Sequence, residues 1–328
     1  MSAADSAVDP ADSPHNTARL ICVGNVVIDL LASVPQLPER GGDVIAQSRG
    51  FAPGGAFNVM VAAARQGLPA DYAGAHGVGA FGELARAAMA AEGIQVLLEP
   101  TVECDTGYDI ALTEAGGERT FVTVVGAEAT LTSQRLRGVT VGASDIVYVS
   151  GYGLLREPNA SAIAQWLESI PNSACVLVDP GPLGGDIRPD IARRIRQRAD
   201  WWSCNEREAL RAIGAADADR AVAARGADVL AAFTPRRGVV LRLGAQGCLL
   251  LSVGQRPRLV PGFTVAAVDT NGAGDAHVGA FLAALARGLA PGAAARHANA
   301  AAAIAVTRRG PATAPTRGEV DAFLAGST

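Results

Sequence analysis

The sequence contains no lysine, and all 28 of its basic residues are arginine. A Walker A phosphate loop requires Gly-Lys-Ser/Thr, so this class of nucleotide site is excluded. The same absence excludes a Schiff-base lysine and the strand lysine of protein kinases. Any phosphate site in this chain must therefore be built without lysine.

Paired cysteines, long apolar runs and an excess of basic charge are also missing from the sequence. The five cysteines are odd in number and form no Cys-x-x-Cys pair, which indicates a reduced protein without disulfides or a zinc site. No apolar run reaches the roughly 18 residues of a membrane span. The net charge of −4 gives no basic excess for nucleic acid or an anionic membrane surface. We therefore expect a cytoplasmic protein with neither a nucleic-acid nor a membrane partner.

The chain divides into a short tail and one large domain. Residues 1–18 are small and acidic, without the basic start and apolar stretch of a signal peptide, and predict a disordered tail. In residues 19–328, short apolar runs such as DIVYVSG and CVLVDPG alternate with Ala-rich helical stretches. This alternation predicts an α/β fold with a central, mainly parallel sheet.

Two segments interrupt the alternation, at about 33–52 and 104–127. The first has no helical period, and the second alternates apolar and polar residues around Gly116-Gly117, as a hairpin does. We expect them to pair into a small sheet over the edge of the active site. Arg119 lies in this hairpin and faces either the substrate or solvent.

Residues 267–285, AVDTNGAGDAHVGAFLAAL, carry the strongest chemical signal. Gly272 and Gly274 flank Ala273 and allow a tight turn that exposes backbone N–H groups. The turn opens a helix, where the macrodipole favours negative charge, so it predicts an anion hole for a phosphoryl group. Asp275 adjoins the hole and can accept a proton from an attacking hydroxyl. The alternative is that Asp275 only caps the helix.

The string DTNGAGD followed by an Ala/Gly/Phe-rich helix resembles the signature of the ribokinase-like, or pfkB, carbohydrate kinases. The resemblance covers nearly all of residues 19–325, in a branch of sugar kinases whose substrate is unassigned. It implies a three-layer α/β sandwich with a small β lid. It also implies ATP and Mg²⁺ as cofactors, and transfer of the γ-phosphoryl group to a hydroxyl of a small sugar or nucleoside.

Two further motifs bear on the substrate. GNVVID and PGGAFN resemble family segments whose residues face the sugar, which implies that Asp29, Gly54, Gly55 and Asn58 contact it together with Asp275. From the residues alone, Asp29 could instead cap a strand end, and Asn58 could cap the following helix.

Other motifs bear on metal ions. SCNEREA resembles the family's N-x-x-E segment, which implies that Asn205 and Glu208 organise Mg²⁺, in part through water. A simple capping box explains the same spacing. The signature loop also implies a K⁺ site that includes Asp269 and Asn271.

The nucleotide site is implied by LRLGAQG and NAAAAIAV, in which Gly244 and Gly247 leave room for ATP and Asn299 lies by the adenine. Arg242 either approaches the phosphates or is an exposed strand residue. The residues expected to contact the nucleotide are Asn205, Arg242, Gly244, Gly247, Gly272, Gly274 and Asn299.

Alternatives of other classes remain open. The string GVGAFG at 77–82 spells GxGxxG, with Glu99 downstream, as in NAD(P)-dependent oxidoreductases. A kinase fold without catalysis, acting as a sugar sensor, is the other alternative. Val27, Gly79 and the Tyr152-Gly153 pair depart from the pattern of ribose-binding members, so the substrate stays open. Family members often pair through their lids, which implies a homodimer.

Overall fold

A nine-stranded sheet runs through the centre of the described part of the chain. The structure is a computed structural model that describes residues 18–116, 118–215 and 222–327. The predicted tail, apart from Ala18, lies outside these residues, as does Gly117 in the predicted hairpin turn.

The strands and helices alternate along the chain, as the sequence predicts. The strands are β1 (Leu20–Val23), β2 (Val26–Ser33), β3 (Ser48–Gly55), β4 (Ala70–Tyr72), β5 (Gln95–Val96), β6 (Tyr108–Thr113), β7 (Arg119–Val124), β8 (Ile146–Ser150), β9 (Cys175–Asp179), β10 (Trp201–Asn205), β11 (Gly238–Arg242), β12 (Gly247–Ser252) and β13 (Arg258–Pro261). The helices are α1 (Ala56–Arg65), α2 (Ala80–Ala91), α3 (Ser133–Leu136), α4 (Asn159–Ser169), α5 (Pro189–Arg198), α6 (Glu206–Ala212), α7 (Gly226–Phe233), α8 (Ala273–Ala286), α9 (Pro291–Ala305) and α10 (Arg317–Gly326).

The large sheet has the order β13-β12-β11-β10-β9-β8-β1-β4-β5. Its strands are parallel except at β12 and β13, which pair antiparallel. Successive side chains of a strand point to opposite faces. In β1, accordingly, Ile21 and Val23 join the core beneath α3–α7, while Leu20 and Cys22 join the core beneath α1, α2 and α8–α10. The predicted three-layer α/β sandwich with a mainly parallel sheet is confirmed.

A second, four-stranded sheet forms the lid, in the order β3-β2-β6-β7. The predicted lid segments contain β3 for the most part, β6 and β7, but the sheet also includes β2, which begins at Val26. The chain passes from the large sheet to the lid at Gly24, where an added Cβ would lie 2.8 Å from Ala56 Cβ. Residues 34–47 of the first predicted segment form no strand.

Helices α1 and α8 approach each other closely at Gly279. An added Cβ there would lie 2.5 Å from Ala62 Cβ and 2.6 Å from the Val59 carbonyl oxygen. This crossing sets the position of Asn58 on α1 relative to Asp275 on α8. Both are predicted site residues.

We predict that Gly279→Ala lowers the melting temperature, because the added methyl meets backbone atoms that have no room to move. Overpacking of this kind typically costs about 1–3 kcal/mol, more than the roughly 1 kcal/mol of helix propensity gained. Gly318→Ala in α10 is the matched control, since nothing lies within 4 Å of its added Cβ. Thermal melts of the two variants test this, and equal melting temperatures would contradict the close-approach argument.

Candidate active site

Two cavities meet at the start of α8. One, of about 470 Å³, is lined by Gly244, Gly247, Ala273, Gly274 and Asn299, among others, and matches the predicted nucleotide site. The other, of about 550 Å³, lies under the lid and contains Asp29, Gly55, Asn58 and Asp275. Arg242 lines both cavities. Most of the predicted substrate and nucleotide residues therefore fall into two adjoining spaces, whereas Gly54 and Gly272 line neither cavity.

The loop before α8 has the geometry of an anion hole. Gly272 has φ of 71°, a left-handed conformation, and an added Cβ would lie 1.9 Å from the Pro311 carbonyl oxygen. Only glycine fits such a position. Gly272 caps α8 without a side-chain hydrogen bond. Ala273 N donates to the Thr270 carbonyl oxygen at 3.3 Å, so the N–H groups of Gly274 and Asp275 are the ones left for a ligand.

Asp275 lies within the first turn of α8 and is not its cap, so the alternative of a simple capping residue is wrong. Its Oδ2 accepts a hydrogen bond of 3.1 Å from Asn58 Nδ2. Burial raises the pKa of Asp275 to about 6, and the nearby Asp179 and Asp29 add to this, while Asn58 and Arg242 oppose it. The carboxylate is therefore largely ionised at neutral pH and able to accept a proton.

The capping alternatives for the other two substrate residues also fail. Asn58 is the third residue of α1, which begins after Gly55 and has no side-chain cap. Asp29 lies in the middle of β2 and faces the cavity. An added Cβ at Gly54 would lie 2.6 Å from Asp29 Oδ2, so Gly54 makes room for that carboxylate.

Arg242 is a largely buried ion-pair centre, with 14% of its side chain exposed, and not an exposed strand residue. It donates to Asp179 at 2.9 Å and to Ser203, and contacts Glu208 at 3.4 Å. Burial and the charge of Asp179 together raise the pKa of Glu208 to about 7, against the opposing charge of Arg242. The guanidinium thus places a fixed positive charge where the two cavities adjoin, which is the kind of group that binds phosphate.

Asn205 and Glu208 form the capping box of α6. The Asn205 side chain accepts from Glu208 N at 2.9 Å, and Glu208 Oε2 accepts from Asn205 N at 2.7 Å. The two residues also line the nucleotide and lid cavities, respectively. In the described residues, no group of three or more His, Cys, Asp or Glu side chains could hold a metal ion. A Mg²⁺ role for this pair, through water, stays a prediction.

The nucleotide cavity is shaped by glycine backbone and by one buried amide. Gly244 and Gly247 have φ of 58° and 96°, which other residues rarely adopt. Asn299 Nδ2 donates to the carbonyl oxygens of Val260 and Pro261 at 2.9 and 3.0 Å, and its Oδ1 lies 3.1 Å from His277 Nε2. Asn299 therefore holds the cavity wall in place.

A salt bridge ties the lid to the signature loop. Arg119 Nη2 donates to Asp269 Oδ1 at 2.7 Å. The Asp269 carboxylate also accepts from Asn271 N at 2.9 Å and from Gly310 N at 3.1 Å. Arg119 is thus an exposed lid residue that does not line the substrate cavity, and its side chain is bound to the signature loop. Both Asp269 oxygens accept hydrogen bonds, so a K⁺ ion at this loop would share that carboxylate with Arg119 and the backbone N–H groups of Asn271 and Gly310.

The competing GVGAFG string does not form a dinucleotide site. Asp105 accepts hydrogen bonds from Phe81 N and Gly82 N, both at 2.9 Å, at the start of α2. An added Cβ at Gly79 would lie 2.4 Å from Asp105 Oδ2. The protein's own carboxylate occupies the place where a pyrophosphate would bind, so the oxidoreductase interpretation is wrong.

Sequence reasoning missed three carboxylates of the lid cavity, Asp109, Glu128 and Asp179. Asp179 ends the buried strand β9, and polar residues at the carboxyl end of a parallel strand are candidates for a site. The sequence around Asp109 gave no such indication, because the residues that lie beside it in the cavity depend on how the lid strands pair.

Comparison with known proteins identifies relatives over almost the whole chain. Residues 17–317 match the model of the pfkB family carbohydrate kinases. An uncharacterized sugar kinase of Escherichia coli, YegV, is 34% identical over 94% of this chain and 95% of its own length. The ribokinase structure of Thermotoga maritima superposes with a TM-score of 0.77 at 25% identity, over 94% and 99% of the two chains.

A further structure, attributed to ribokinase II of Escherichia coli, was determined with ATP and Mg²⁺. It has a TM-score of 0.75 at 23% identity, over 94% of this chain and 99% of that chain. This likeness shows the fold. In the described residues, no helix is both long enough and apolar enough to cross a membrane.

We predict that Arg119→Gln loosens the lid, because it removes the charge that bonds β7 to Asp269. Hydrogen–deuterium exchange in β6 and β7 should become several-fold faster, while exchange in the large sheet stays unchanged. Arg49→Gln, at an exposed position of β3, removes the same charge without that partner. If both variants exchanged like the parent protein, the salt bridge would not hold the lid.

Proposed function

The chain belongs to the pfkB family of carbohydrate kinases, and we propose that it phosphorylates a hydroxyl of a small sugar with Asp275 as general base. The observation that carries the proposal is the juxtaposition at the start of α8. Asp275 lines the lid cavity, and the open first-turn N–H groups adjoin the nucleotide cavity. An acceptor hydroxyl in the first cavity and a γ-phosphate in the second would meet at this boundary.

The chemistry required of the residues is modest. Phosphoryl transfer depends mainly on positioning and on stabilising negative charge. Asp275 Oδ1 is available to take the hydroxyl proton, because the hydrogen bond from Asn58 engages Oδ2 and orients the carboxylate. The N–H groups after Gly272 and the guanidinium of Arg242 would stabilise charge on the transferred group. The intact base and anion hole favour an active enzyme over a sensor.

ATP, Mg²⁺ and the lid complete the proposal. ATP fits the cavity bordered by Gly244, Gly247 and Asn299. Mg²⁺ would be organised by Asn205 and Glu208 through water, and it would neutralise phosphate charge. A K⁺ ion would lie near Asp269 and Asn271, held by carbonyl groups. Closure of the lid would exclude water and so suppress ATP hydrolysis.

We predict that Asp275→Asn lowers kcat by about 10²-fold or more while leaving the KM for ATP nearly unchanged, because it removes the proton acceptor. The melting temperature should change little, since Gly272 is the cap. For the parent enzyme, kcat should fall about tenfold per pH unit below pH 6 as Asp275 becomes protonated.

The assay is ADP release with a panel of sugars and nucleosides. Glu206→Gln, which alters an exposed first-turn carboxylate of α6, is the control and should keep full activity. Near-normal turnover by purified Asp275→Asn would show that another group accepts the proton.

We predict that Glu208→Gln shifts the dependence of rate on Mg²⁺ to higher metal concentration. Glu319→Gln is the matched control, because Glu319 belongs to a second capping box, with Thr316, at α10. Both variants should lose about 1 kcal/mol of capping stability, but only the first should alter the metal dependence. Identical Mg²⁺ curves would leave Glu208 as a cap alone. The same assay with Na⁺ in place of K⁺ tests the monovalent ion.

We also propose that the lid pairs two copies of the chain. The strand register aligns Phe51, Leu30, Ile110 and Val122 across the lid face that points away from the cavity. Helix α2 covers only part of this face, where Phe81 packs on Tyr108 at 5.1 Å. Phe51 and Val122 stay 67% and 53% exposed, and exposed apolar faces of this kind mark interfaces.

We predict a dimer in light scattering at micromolar concentration, and conversion to a monomer by Phe51→Arg, which introduces a charge into the apolar row. Val253→Arg adds the same charge at an exposed position in the turn after β12 and should leave the dimer intact. A monomeric parent protein would refute the lid-to-lid pairing.

A further inference from the structure

The lid presents two carboxylates side by side to the substrate cavity. Strands β2 and β6 are parallel neighbours, and their register pairs Asp29 with Asp109. Paired residues on adjacent strands point to the same face, and both residues line the cavity that contains Asn58 and Asp275. Asp109 belongs to the lid, so its carboxylate enters the cavity from the side opposite α1 and α8.

These acceptor groups lack donors within the described protein. Asp29 is only 9% exposed and has no hydrogen-bond partner among the described residues. Asp109 Oδ1 and Asn58 Oδ1 are shielded from solvent and are also without a partner. Burial, and then the charge of Asp109, raises the pKa of Asp29 to about 6, while Arg119 opposes the shift. Unpaired buried acceptors are unfavourable, and a bound ligand rich in hydrogen-bond donors would satisfy them.

The nearby cations are already engaged. Arg242 is paired with Asp179 and Glu208, and Arg119 is paired with Asp269. Arg156 also lines the cavity, but its side chain is exposed at the rim. The end of the cavity around Asp29 and Asp109 is therefore negative, and it would repel a carboxylate or phosphate on the substrate.

We propose that Asp109 binds the acceptor sugar together with Asp29, and that the pair selects an uncharged sugar with neighbouring hydroxyls over sugar acids and sugar phosphates. Ionised carboxylates accept hydrogen bonds and donate none, so each can hold two adjacent hydroxyl groups. Asp109 is a specificity residue in this arrangement, whereas Asp275 carries out the chemistry. The inference rests on the proposed kinase function.

The experiment begins with ADP release from D-ribose, D-fructose, D-gluconate and D-ribose 5-phosphate. The best substrate should be one of the two uncharged sugars. Asp109→Asn should then raise the KM for that sugar about 10- to 100-fold, because a hydrogen bond to a charged group is lost. We expect kcat to stay within about threefold and the KM for ATP to be unchanged. The variant should also discriminate less strongly against D-gluconate.

Glu118→Gln is the matched control, since Glu118 is an exposed carboxylate of the same hairpin outside the cavity. Asp109→Ala is the second variant, and the KM for ATP reports whether either variant has a damaged fold. An unchanged sugar KM in both Asp109 variants would overturn the inference and leave the kinase proposal intact. A preference for the acid or the phosphate would also overturn it. No ADP release with any of the sugars would count against the proposed function and the inference together.

Discussion

The close approach of α1 and α8 is the constraint on which the site depends. The two helices touch through Gly279 and Ala62, where no larger side chain fits. Small residues thus bring the backbones together, and the contact sets Asn58 against Asp275 at 3.1 Å. The alignment of the carboxylate therefore derives from helix packing some distance away, in the rigid core, and not from the surrounding loops. A site on packed helices is held more accurately than one on loops.

Because the chain has no lysine, arginine supplies the positive charge at the site. Asp179 and Glu208 surround one arginine, which lies between the two cavities. Because a guanidinium keeps its charge under burial, Arg242 stays protonated between its carboxylate partners where a lysine could lose its proton. The same burial makes the nearby carboxylates weaker acids, with pKa values of about 6 for both Asp29 and Asp275. Burial at this site thus leaves Arg242 charged and raises the pKa of Asp275, whose carboxylate can then act as a base.

The sequence predicted best those features that depend on a few consecutive residues. The turn at Gly272, the position of Asp275 beside it and the Asn205–Glu208 spacing are local, and the structure has all three. The residue beside Asp29 in the lid sheet, Asp109, is not local, because it depends on the pairing of β2 with β6, some 80 residues apart in the chain. The GxGxxG string misled for a related reason. The backbone N–H groups at the start of its helix, α2, donate to Asp105, a residue from outside the motif.

Asp269 accepts hydrogen bonds from two separate parts of the molecule, the lid and the loop that contains Gly310. One of its oxygens accepts from the lid through Arg119, and the other accepts from Gly310, in the segment that follows the nucleotide cavity. The position of the lid and the position of the loop at Gly310 are therefore tied to the same carboxylate. Linkage between two binding sites is reciprocal, so a sugar that tightens ATP binding by some factor must itself be bound more tightly by that factor when ATP is present. Through Asp269, each substrate would then help to prepare the site for the other.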